Sequence, residues 1–88
     1  MAVDQADRET QELCDLIRSV TTRLVDNQDD VQITGDRQGQ MVRIQIQVHD
    51  DDMGRIIGRE GRIARAMRTI LMIAASRRGL RSSLDIGS

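Results

Sequence analysis

Gly54-Arg55-Ile56-Ile57-Gly58-Arg59-Glu60-Gly61-Arg62 is the stretch on which the architecture turns. Met53 and Ile57, four apart, mark a short helix that stops at Gly58, and a new helical period begins at Arg62. Gly58 and Gly61 lack Cβ atoms, so the backbone between the helices can take positive φ and a ligand can come close. The second helix opens with N–H groups that have no intrahelical acceptor and with partial positive charge, which together favour an anion such as phosphate. Arg59 and Arg62 add guanidinium groups at that end, with Arg55 a turn earlier, and each can grip a phosphate through two hydrogen bonds. No side chain here offers catalysis; the segment offers a backbone cradle for phosphodiesters. A GxxG tetrapeptide alone is more often a plain corner between two helices, so its surroundings decide.

Upstream, Val42, Ile44, Ile46 and Val48 alternate with Arg43, Gln45 and Gln47. One face is aliphatic and the other polar, the pattern of a sheet covered on one side. Val31 and Ile33 begin an earlier strand, and Gly35–Gly39 reads as the turn of an antiparallel hairpin. Before it, Leu13, Ile17, Val20 and Leu24, with Leu16 beside them, form a helical stripe from about Asp7, closed by turn formers over 26–30. Downstream, a helix is predicted from Arg62 to Arg78, with Ile63, Met67, Ile70 and Ala74 inward and Ala66, Leu71 and Ile73 widening the stripe. Gly79 suits the position just past its end. Leu80, Ser82, Leu84 and Ile86 suggest a last strand. The order is αββααβ: an α+β domain over residues 7–88 behind a flexible tail of residues 1–6, with three helices on one face of a three-stranded sheet.

Composition narrows the function. The 88 residues are 39% hydrophobic and 31% charged, which fits one folded domain. No run approaches the ~20 apolar residues of a membrane span, and the polar, acidic start is unlike a signal peptide. One cysteine, Cys14, and one histidine, His49, exclude a disulfide framework and a Cys/His zinc site, and a reducing cytoplasm suits the chain. All 13 basic residues are arginine, so a Walker A loop, which needs its lysine, is excluded. With no aromatic residue, no base can stack on a ring. Net charge is −1, but residues 1–53 carry 5 Arg against 12 acids while residues 54–88 carry 8 Arg against Glu60 and Asp85. A domain so divided can turn a basic face to phosphates.

The segment IIGREGR between two helices, behind a ββ hairpin, resembles the signature of the KH domain, whose GxxG loop clamps about four nucleotides of a single strand. The order αββααβ matches the type II, bacterial form of that fold. DMGRIIGREGRIARAMRTILMIAASRRG resembles the core of the small single-domain KhpA-type RNA-binding proteins, and the likeness spans roughly residues 10–86. The resemblance implies a non-enzymatic, cofactor-free, cytoplasmic binder of single-stranded RNA, a post-transcriptional regulator or RNA chaperone. It implies a loop of Gly58, Arg59, Glu60 and Gly61 under the phosphates. Arg55, Ile56 and Ile57 would border the groove on one side, and Arg62 and Arg65 on the other. It also implies a homodimer, or a heterodimer with a larger KhpB (Jag)-type RNA-binding protein. Glu60 departs from the usual loop and opposes phosphate; Ala64 stands where many KH domains carry isoleucine, with Ile63 beside it to supply volume.

A reading of another class makes the chain a dimerisation scaffold with a KH fold and little RNA contact. Ile56 can touch bases in the groove or sit wholly in the core. Met72, projecting between Arg65 and Arg68, is either a lone surface methionine or a subunit contact. Asp50, Asp51 and Asp52 read as a helix cap; adjacent carboxylates without a glycine-turned loop seldom make a cation site. Cys14 reads as a small core hydrophobe and His49 as a solvated strand end.

Overall fold

A computed structural model describes residues 5–88, with side chains from Arg8 onward. The first four residues of the expected tail lie outside the described residues. Helix α1 spans Gln5–Leu24, strands β1 and β2 span Gln32–Gln38 and Met41–Gln47, helices α2 and α3 span Met53–Ile57 and Arg62–Ser76, and strand β3 spans Arg81–Gly87. Strand β2 is central, antiparallel to β1 and parallel to β3. Val42, Ile44 and Ile46 of β2 are buried while Arg43, Gln45 and Gln47 are exposed, so the helices cover a single face as expected. Leu13 and Ile17 of α1, Ile56 of α2, and Met67, Leu71 and Ala75 of α3 meet those strand residues and Leu84 in one core. This αββααβ arrangement is the KH fold.

Three expectations are corrected. The inward stripe of α3 is Ala64, Met67, Leu71 and Ala75, whereas Ile70 and Ile73 are exposed and Ile63 and Ala74 are half-buried. The helix is apolar around most of its girth, so periodicity permits two stripes about 100° apart. The stripe that faces the sheet carries alanine at both ends, and small residues let the two layers approach closely. In α2 the buried residue is Ile56, while Ile57 points out. The hairpin turn is only Gly39–Gln40, since Gln38 pairs with Met41.

Gly35 therefore lies inside β1, opposite Ile44. A Cβ there would collide with Cys14 Sγ and lie 3.1 Å from Thr10 Cγ2. The glycine signals close approach of α1 to the strand, not a bend. Cys14 is buried at that contact, and burial pushes its thiol up, against the pull of nearby Arg18. The C-terminus of α3 closes as expected: Gly79 takes φ +71, and the amides of Gly79 and Leu80 return to the carbonyls of Ser76 and Ala75.

Gly35→Ala is expected to cost roughly 1–3 kcal/mol, the usual range for overpacking. Cys14→Ala in the same chain should recover part of that loss, because it removes the atom that the new methyl meets. Thermal melts of the two single variants and the double variant measure the coupling.

Candidate nucleic-acid interface

A helix of five residues is too short to persist alone, so α2 must be held by its surroundings. Ile56, fully buried, anchors it from below. The chain then reverses at Gly58, with φ +75 and ψ 174, a region that essentially only glycine occupies. A Cβ on Gly58 would run into Ile63 Cγ1 and sit 2.9 Å from the Ile63 backbone nitrogen. The main chain of the loop thus rests directly on the first turn of α3. Glu60 and Gly61 follow in left-handed conformations, at φ 56 and φ +74, with nothing within 4 Å of a Cβ at Gly61. Gly61 donates its amide to the Gly58 carbonyl at 3.2 Å, closing the turn.

The loop is open to solvent. Arg59 and Glu60 are exposed, and Gly58 and Gly61 are half-exposed. Arg62 and Arg65 extend from the first turns of α3 into solvent. Among the described residues, Arg59 and Arg65 make no ion pair, and Arg62 is paired only with Glu60, at 3.7 Å with both side chains exposed. Such a pair contributes little and yields readily to another anion.

Two expected border residues sit differently. Ile56 belongs to the core and supports the loop from beneath, while Ile57, 39% exposed, borders it. Arg55 is held by carboxylates: its Nη2 lies 2.9 Å from Asp26 Oδ2 and its Nε 3.5 Å from Asp52 Oδ1. The acidic triplet is corrected as well. Asp52 makes no side-chain cap to α2. Its carboxylate accepts from the backbone N–H groups of Asp26 and Asn27 and from Asn27 Nδ2. Burial opposes its charge, but these Asn27 and Asp26 bonds and Arg55 outweigh that and hold its carboxyl below the ordinary range. His49 instead caps the 3-10 turn over Asp50–Asp52 that precedes α2, its Nδ1 accepting from the Asp51 amide at 3.0 Å. Among the described residues no cluster of three His, Cys, Asp or Glu is placed to hold a metal ion.

One part of the surface escaped the sequence reading. Arg68, Leu71 and Met72 of α3 and Ser82–Asp85 of β3 line a groove of about 420 Å³. Arg68 Nε donates to the Leu84 carbonyl at 3.3 Å, and Met72 is 56% exposed. Arg65, Arg68 and Met72 follow one another at i, i+3 and i+7, so one line of α3 leads from the loop into this groove. That spacing and the last strand are both legible in the sequence, but the placement of β3 at the sheet edge opposite this line of α3 is not.

A three-stranded sheet backed by helices, with a glycine-bounded reversal between the last two helices, defines a KH domain. The family described as KhpA/KhpB, KH domain, matches residues 14–86. The chain is 39% identical over 71 residues to the RNA-binding protein KhpA of Halalkalibacterium halodurans, covering 81% of this chain and 93% of that one. It is 37% identical over 76 residues to the RNA-binding protein KhpA of Bacillus subtilis (86% and 89%), and 39% identical over 74 residues to that of Aquifex aeolicus (84% and 94%). This protein belongs to the KhpA/KhpB KH-domain family.

Gly58→Ala is expected to destabilise the fold by several kcal/mol, since it combines a forbidden φ/ψ with a steric collision. Gly61→Ala meets only the left-handed backbone cost of about 1–2 kcal/mol. Urea titrations of the two variants should separate them in that order; equal losses would contradict the described contact with Ile63.

Proposed function

We propose that this chain is a non-enzymatic module that binds single-stranded RNA. The sugar–phosphate backbone lies against Gly58–Gly61, and Arg59, Arg62 and Arg65 neutralise phosphates beside it. The observation that carries this reading is the solvent-open reversal beside Arg59 and Arg65, which make no ion pair among the described residues, and Arg62, whose one pair is exposed. The relatives' name, RNA-binding protein, supports it. With no aromatic ring in the chain, bases must lie on aliphatic surface, and the groove between α3 and β3 offers the exposed Met72 with the Ser82 and Ser83 hydroxyls at its wall. Few phosphates fit one such unit, so about 2–4 counterions are released, and affinity is on the order of micromolar. The module acts in the cytoplasm as a post-transcriptional regulator or RNA chaperone; no helix among the described residues is long and apolar enough to cross a membrane.

A single weak site gains from pairing. Ile70 and Ile73 stand exposed on α3 in a shallow apolar groove shared with Leu16 of α1. We infer that this face meets a second copy of the chain, or the KH domain of a larger KhpB (Jag)-type protein. Ile73→Arg should then halve the mass measured by sedimentation while leaving the melt unchanged.

The RNA contact is tested by Arg59→Asp with Glu60→Asp. Polarisation of a labelled single-stranded RNA should show affinity reduced at least about tenfold, with the fold and self-association intact. Unchanged RNA affinity would favour the scaffold reading. Because the protein has no Trp, Tyr or Phe, it is nearly silent in the near-ultraviolet, so nuclease-sensitive absorbance in the purified wild type would report bound RNA directly.

A further inference from the structure

Arg55 differs from the other arginines around the loop. Its guanidinium lies between two carboxylates, Asp26 at the end of α1 and Asp52 at the start of α2. Asp52 is 1% exposed and cannot follow Arg55 outward, because three N–H donors from Asp26 and Asn27 hold it. The trio carries a net charge of −1, and Asp29, Asp30, Asp50 and Asp51 lie in the same two loops. A phosphate approaching Arg55 meets that excess of carboxylates. A phosphate approaching Arg59, Arg62 or Arg65 meets Glu60 alone among the residues of the loop and the first turn of α3.

We propose that Arg55 is a positioning residue and not a phosphate contact: with Asp52 and Asp26 it braces α2 against the end of α1 and so sets the angle at which the Gly58–Gly61 loop faces its ligand. This rests on the RNA-binding reading above and assigns one of its arginines a different role. The five-residue helix is tied to the body of the domain by Ile56 in the core, by half-buried Met53 packed against that core, and by this clamp. Ile56 and Met53 hold its inner side to the core and leave its outer side free to tilt. The clamp, one residue before Ile56, removes that freedom. The outer pair with Asp26 is exposed and would contribute little alone. The inner pair matters because Asp52 is immobile.

Arg55→Gln, Asp52→Asn and Arg59→Gln are compared by nuclear magnetic resonance of the free proteins and by RNA titration at several salt concentrations. In the free protein, Arg55→Gln and Asp52→Asn should move the amide signals of Gly58 and Gly61 while those of Gly39 and Gly87 stay. With RNA, Arg59→Gln should lower the slope of log K against log salt by about 0.7, the value for one phosphate on a single strand. Arg55→Gln should weaken binding roughly tenfold at every salt concentration with the slope unchanged. Asp52→Asn removes a negative charge, so charge alone would tighten binding; the brace requires weakening. A slope change for Arg55→Gln equal to that of Arg59→Gln, tighter binding by Asp52→Asn, or unmoved loop amides in Arg55→Gln overturns the proposal. If Asp52→Asn does not fold, Arg55→Gln carries the test, since its side chain is largely in solvent. If the wild type binds no RNA, the functional reading fails and the loop amides decide the brace by themselves.

Discussion

The main chain at Gly58 lies on the side chain of Ile63 with no room for a carbon between them. That contact makes the reversal tight enough for α3 to start immediately after α2. It also leaves the loop backbone outermost, where a ligand can reach it. A Cβ at this point would push the loop off the first turn of α3, so the closeness of helix packing and the openness of the loop have one cause.

Around that corner the charges sort themselves by loop. The turns at 26–30 and 50–52 carry six aspartates between them, and Arg55 pairs with one from each, Asp26 and Asp52. Past Gly58, four arginines follow within ten residues, at 59, 62, 65 and 68, with Glu60 as the only acid. Helix α2 marks the boundary. A net charge near zero conceals this division, and the division, not the sum, is what a polyanion would sense.

Arginine also serves the sheet. Arg18 of α1 donates to the Ile33 carbonyl at 3.4 Å, and Arg68 of α3 donates to the Leu84 carbonyl. Each edge strand thus has a carbonyl occupied by a helix side chain, which blunts its capacity to pair with another chain. At β3 the same arginine stands at the mouth of the groove between helix and strand.

Local pattern alone determined the order of elements, the alternation of β2, the glycine that closes α3 and the reversal at Gly58–Gly61, because each depends on residues adjacent in the chain. The rotation of α3 was decided only by the tertiary structure. Both Ile70 and Leu71 fit a helical period, and the sheet takes the stripe with Ala64 and Ala75, whose small side chains permit close packing. Gly35 and Asp52 were misread for the same reason: each looks like a local device, a turn or a cap, yet each answers to a residue 21 or 26 positions away, Cys14 and Asp26. The groove at β3 and the restraint on Arg55 likewise need partners distant in sequence. Periodicity records which residues share a face, but not which face meets another element, because that choice is made by the shape and charge of what lies opposite.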